Sequence, residues 1–232
     1  MLVGVQGCGK SLSAKAVAGL WHQPLLRMDV GALMESLVGH SERNLRRALE
    51  LAERIAPCVL WIDEIEKGFA GLEGAMDGGT IQRMFGTMLT WMQEKDSPVF
   101  VMATANRIDL LPPEMLRKGR FDEIFFVDLP DETQRADIWR IHLGYRAEAS
   151  GDADLTSRLD TQVLAEASDG YSGAEIAAAV VEGAFSALAE EAPLDVRHLL
   201  AALSASPPLS RVRKADIDGL RDWAHGRARS AS

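Results

Sequence analysis

The chain has 232 residues, enough to bury a sizeable core as one domain or two, and carries a formal charge of −9. That acidity counts against a nucleic-acid partner, a clamp-loader or helicase-like DNA factor included, and two cysteines point to a reducing compartment without disulfides. No run of about 18 apolar residues is present to cross a membrane and no charged-then-apolar leader precedes a cleavage site, so the sequence reads as cytoplasmic.

The first element is a glycine-rich loop. In MLVGVQGCGKSLSAKAV, residues Gly4, Gly9, Lys10 and Ser11 keep the spacing of a loop that wraps nucleotide phosphates. Phosphate oxygens need several converging donors and no side chain in the way. The amides of Gly7, Cys8, Gly9, Lys10, Ser11 and Leu12, at the start of a helix, meet that need. Lys10 is expected to bridge the β- and γ-phosphates and Ser11 to ligate magnesium through its hydroxyl, while the Cys8 side chain matters little. An ordinary glycine turn would match the four fixed positions in roughly one chain of this size in a hundred, so the phosphate reading is preferred. The following helix spaces Leu12, Ala16 and Leu20 at its own period.

Apolar runs PLLRMDV, CVLWI, VFVMATA and EIFFVDL read as strands, and their alternation with helical patterns predicts a parallel sheet covered by helices on both faces. SERNLRRALELAERI predicts a helix with Leu45, Ala48, Leu49, Ala52 and Ile55 on its core face. Its Arg43, Arg46, Arg47 and Arg54 form a solvated face. The glycine-rich stretch GLEGAMDGG reads as mobile. A second helix, IQRMFGTMLTWMQEK, repeats Ile81, Met84, Phe85, Met88, Leu89 and Met92 at helical spacing.

After LPDE the pattern turns wholly helical. Asp131 with Gln134 marks one helix start, and Ser172 with Glu175 forms a capping box before another. A helix is expected from about Asp195 to Leu203, then SPPLS as a breaker, then a last helix with Ile217, Leu220, Trp223 and Ala224 on one face. The expected domains are 1–130, a nucleotide-binding α/β part; 131–205, a small helical part; and 206–232, a C-terminal helix and tail.

CVLWIDEIEKGF sets two carboxylates at the end of a buried strand. Beside a phosphate loop, Asp63 would hold magnesium through water and Glu64 would orient and polarise the attacking water. Glu66 and Lys67 read as surface.

With these two motifs in place, the chain resembles the AAA+ ATPases, specifically the AAA branch proper, nearly end to end. VMATANRIDLLPPEMLRKGRFDEIFFVDLP resembles the second region of homology of that branch. The resemblance implies a P-loop sheet with a shortened first strand, a small all-α lid, and ATP or ADP with magnesium as ligands. Asn106 falls at the polar sensor of the γ-phosphate and attacking water. Arg117 and Arg120 fall at the arginine fingers, which reach a neighbouring subunit's nucleotide and offset transition-state charge. IWRIH resembles the segment whose histidine lies beside adenine and ribose. His142 is therefore a nucleotide contact or a structural helix residue. GYSGAEI resembles the stretch that packs Gly173 and Ala174 against the nucleotide. ESLVGHSE sits at the first pore loop, where Leu37 and Val38 either grip an extended polypeptide in a ring's channel or cap a local core. Family members that thread substrates usually carry an aromatic where this chain has Leu37.

Within the branch, the chain resembles the AAA ATPases encoded as hypothetical open reading frames in algal plastids and cyanobacteria, whose location would be the plastid stroma in a photosynthetic eukaryote. The family has a fuller first strand with a segment before it that helps enclose adenine, so an N-terminally shortened form is expected. The implied function is magnesium-dependent ATP hydrolysis in a homo-oligomeric ring, hexameric at full length, that moves an unknown protein client. The alternative is an ATP-dependent switch or scaffold with little turnover.

Overall fold

A computed structural model describes residues 1–34, 41–69, 78–117 and 119–231. They form two compact units. The first comprises Met1–Gly4, Lys10–Val127 and Trp223–Ser232; the second comprises Val5–Gly9 and Asp128–Asp222.

The first unit is built on a six-stranded parallel sheet: β1 (Leu2–Gly4), β2 (Leu25–Asp29), β3 (Cys58–Asp63), β4 (Val99–Ala105), β5 (Phe125–Val127) and β6 (Arg229–Ser230), in the order β2-β3-β4-β1-β5-β6. Helices α1 (Lys10–Leu20), α2 (Val30–Met34), α3 (Ser41–Ile55) and α4 (Gly78–Glu94) flank it. Strand β3 lies between β2 and β4 and is buried from Cys58 to Ile62, which is why it reads as one apolar run rather than an alternation. Trp61, Leu2 and Met102 pack with Ala14 of α1 on one side of the core.

Strand β1 is short but central, paired with β4 on one side and β5 on the other. Gly4 ends it at φ +151°, and a Cβ there would stand 1.9 Å from the Val127 carbonyl oxygen. Glycine is thus required by the sheet as well as by the loop that follows.

Three details differ from the sequence expectation. On α1 the buried residues are Lys10, Ala14 and Ala18, while Leu12 and Leu20 are 65% and 78% exposed. Small alanines let the helix lie close to the sheet, and the bulkier leucines fall on its outer side. On α3, Leu45, Leu49 and Ala52 are buried as expected, but Ile55, the last residue, is exposed. Strand β6 carries no apolar signal and is found only through pairing with β5.

The second unit is helical: α5 (Glu132–Ser150), α6 (Leu155–Arg158), α7 (Thr161–Ala167), α8 (Gly173–Ala189), α9 (Val196–Ala205) and α10 (Leu209–Val212). Trp139, Leu143, Leu164, Ile176 and Leu199 form its core. Capping boxes at Asp131 with Gln134 and at Ser172 with Glu175 start α5 and α8. Arg135, buried on α5, donates to the carbonyls of Ala165 and Pro130 and so fastens α5 to the end of α7. The prolines of SPPLS do end α9, yet α10 begins at once because Pro208 suits the position just ahead of a helix and the Leu209 amide donates to Glu175 Oε1 at 2.8 Å. Helix α11 (Lys214–Ala224) follows, with Ile217 and Ala224 buried. Residues 206–222 belong to the second unit and Trp223–Ser232 to the first.

Candidate functional site

In the first unit, the candidate residues gather at the carboxyl ends of adjacent parallel strands, where open α/β sheets place their ligands. Asp63 ends β3, Glu64 follows it, and Asn106 follows β4. Ser11, at the start of α1, donates to Asp63 Oδ1 at 3.4 Å, and the Thr104 hydroxyl donates to the same oxygen at 3.0 Å. Lys10 is buried and its ammonium donates to the Gly4 carbonyl at 2.8 Å.

Glu64 is held on three sides. Its amide donates to Thr104 Oγ1 at 3.0 Å, Asn106 Nδ2 donates to its Oε1 at 2.8 Å, and Lys67 pairs with its Oε2. The backbone at Glu64 has φ +47°, a left-handed turn that costs a side-chain-bearing residue about 1–3 kcal/mol. That turn carries the carboxylate off the strand line and toward Asn106. The Glu64 carboxylate in turn holds the Lys67 ammonium above its ordinary value.

In the second unit, the loop residue Gly7 has φ +80°. Its carbonyl accepts a 3.0 Å hydrogen bond from the Ala174 amide at the start of α8. A Cβ on Gly7 would stand 2.9 Å from Ser172 Oγ and 3.0 Å from the Ala174 Cβ, so the loop and the helix start are fitted to each other. Gly173 packs beside the Gly7 carbonyl and Ile138. Cys8 Sγ lies 3.8 Å from the Gln6 carbonyl oxygen, and Gly9 has φ +89°. His142 lies one turn beyond Ile138 on α5, 6.1 Å from the Tyr145 ring. It lines an open groove of about 370 Å³ with Val181 and Phe185, and burial lowers its pKa.

Arg117 is exposed just after the short turn Pro113–Leu116, whereas Arg120 is half-buried with Nη1 enclosed and without a hydrogen-bond partner. Leu37 and Val38, and most of the glycine-rich stretch 71–79, lie outside the described residues.

Residues 1–129 match the family model described as the ATPase family associated with various cellular activities (AAA). The chain belongs to the AAA family. It is 47% identical to an AAA domain-containing protein ycf46 of Pyropia yezoensis and 46% identical to that of Guillardia theta. Each match covers the whole chain and, respectively, 46% and 45% of the relative. It is also 35% identical to the proteasome-activating nucleotidase of Methanopyrus kandleri, over 82% of the chain and 43% of that protein. The chain thus spans just under half the length of these relatives.

AAA membership implies ATP binding and hydrolysis, and four residues of this AAA chain that the motif reading passed over bear on that chemistry. Thr104 braces both Asp63 and Glu64; the one signal for it is a hydroxyl near the end of an otherwise apolar strand. Glu66, read as surface, is instead 4% exposed. Its Oε1 accepts from the Asn106 amide at 2.8 Å, Oε2 is buried with no hydrogen-bond partner, and burial raises its pKa. Lys67 is exposed as read, yet it pairs with Glu64. Arg27, the one basic residue of the β2 strand, donates to Asp63 Oδ2 at 2.8 Å.

The donor set of the AAA chain suits a hard cation. Ser11 and Asp63 bring a hydroxyl and a carboxylate oxygen within 3.4 Å of each other, and magnesium prefers such oxygen ligands while keeping several waters. Among the described residues no three of His, Cys, Asp and Glu form a metal-binding group, and no helix is long and apolar enough to cross a membrane.

Proposed function

We propose that the chain is the ATPase part of a magnesium-dependent machine that hydrolyses ATP at the boundaries between subunits of a homo-oligomeric, hexameric ring and uses the cycle to remodel a protein client. The observation that carries this reading is the Ser11–Asp63 and Glu64–Asn106 pairing at the strand ends. Gly4, Gly7, Cys8, Gly9, Lys10, Ser11 and Leu12 form the phosphate loop. Lys10 neutralises the β- and γ-phosphates, and Ser11 with Asp63 holds magnesium, which supplies charge neutralisation on the phosphate oxygens. Glu64 accepts a proton from the attacking water, oriented together with Asn106. Arg117 and Arg120 act on the neighbouring subunit's nucleotide. His142, Gly173 and Ala174 flank the adenosine, and Leu37 with Val38 contacts the client. The domain limits 1–130, 131–205 and 206–232 remain our division of these roles. The protein works in the cytoplasm, or in the stroma where its source is a plastid. Acidity argues against nucleic acid as the client.

The ion pair between Lys67 and Glu64 favours a second reading, an ATP-dependent switch with little turnover, because Lys67 occupies one oxygen of the carboxylate that would otherwise face the attacking water. One pair of variants tests both. Lys10→Ala should lose binding of a fluorescent ATP analogue, while Glu64→Gln should bind it as wild type does and release no phosphate. Wild-type affinity in Lys10→Ala contradicts the phosphate-loop role. Equal, very slow phosphate release by wild type and Glu64→Gln favours the switch.

A further inference from the structure

Arg27 and Trp61 are register partners on β2 and β3, and Asp63 is two residues on from Trp61, so all three side chains project from one face of the sheet. The Arg27 guanidinium carbon lies 5.0 Å from the centroid of the Trp61 ring, and its Nη2 donates to Asp63 Oδ2. Asp63 therefore has its two oxygens divided. Oδ2 is taken by Arg27, and Oδ1 is turned to Thr104 and Ser11.

We infer that Arg27 is a positioning residue for magnesium: stacked on Trp61, it fixes Oδ2 and so presents Oδ1 toward the Ser11 hydroxyl. This rests on the proposed role of Asp63. The side chain of Arg27 is 56% exposed and that of Asp63 only 11%, so the pair adds little to stability, and its effect is on orientation. A planar guanidinium suits the task because it can lie over an indole while its edge meets a carboxylate; a lysine ammonium supplies charge without that plane. Carboxylates around metals are commonly held by such outer partners, whose loss weakens metal binding about 10–100-fold.

The test titrates magnesium into the full-length protein holding a fluorescent ADP analogue, which keeps turnover out of the reading. Arg27→Met retains an apolar stem for Trp61 and removes the charge; Arg27→Lys restores charge alone. The expected result is that Arg27→Met needs about tenfold more magnesium than wild type, with unchanged analogue affinity in EDTA and an unchanged unfolding midpoint, and that Arg27→Lys falls between. An unchanged or lowered magnesium requirement in Arg27→Met overturns the inference, as does weakened analogue binding in EDTA, which marks a structural role. Asp63→Asn separates the two levels. If it leaves the magnesium response of wild type intact, the assignment of Asp63 itself fails; if it abolishes the response while Arg27→Met does not alter it, only the role of Arg27 fails.

Discussion

Glu66 links the two candidate catalytic groups through the backbone: it accepts from the Asn106 amide, and Asn106 donates to Glu64. Burial raises its pKa above the ordinary 4.5. Below about pH 4.5 the group is protonated in both the folded and unfolded chain. As pH rises from there through the folded value, the unfolded chain loses this proton first, so the native state binds more protons and stability falls. Glu66→Gln keeps the Oε1 acceptor and cannot ionise. Its unfolding midpoint should match wild type near pH 4 and exceed it increasingly toward pH 7, as read by thermal melts across that range. A wild-type protein that gains on Glu66→Gln with rising pH would show that a buried charged Glu66 is stabilised by its surroundings. Sequence hid this residue because DEIEKG looks like a solvated turn, and burial of the third acid depends on the short helical turn Ile65–Phe69 folding under the end of β4. Asp63 and Glu64 were legible because their place after an apolar strand needs no tertiary knowledge.

At the scale of elements, β1 decides the most. It offers only three residues to the sheet, yet it sits at the centre of the strand order and leads directly into the phosphate loop. Gly4→Ala would force a Cβ into the Val127 carbonyl oxygen, from which neither backbone can retreat without parting β1 from β5. The expected loss is at least about 2–3 kcal/mol, in the range of severe backbone clashes, with a lowered denaturant midpoint. Full wild-type stability would mean that β1 and β5 do not approach so closely. The four principal strands, α3 and the capped starts of α5 and α8 were legible in sequence, since each rests on a local period or cap. What escaped was set by partners remote in the chain. Leu12 and Leu20 keep helical spacing, but which face of α1 is buried depends on the sheet beneath it, and β6 exists only because β5 offers an edge.

For the whole molecule, the proposed hydrolysis needs two chains: Glu64 of one and an arginine of the next. Arg120 is half-buried and its Nη1 is enclosed without a hydrogen-bond partner among the described residues, where an unpaired buried donor is costly; a finger role requires the guanidinium to turn outward, which would give it a partner on the neighbour's nucleotide. Arg120→Ala should therefore keep ATP binding and lower turnover by about 10³ or more, as removal of an arginine finger does in other nucleotide hydrolases. Glu64→Gln should be inactive for its own reason. The decisive measurement is phosphate release from mixtures of these two variants of the full-length protein, with co-assembly verified. A Glu64→Gln subunit supplies an intact Arg120 to an Arg120→Ala subunit whose Glu64 is intact. The mixture is expected to regain activity absent from either variant alone, greatest at intermediate ratios. Co-assembled mixtures that stay inactive at every ratio would contradict catalysis across a subunit boundary.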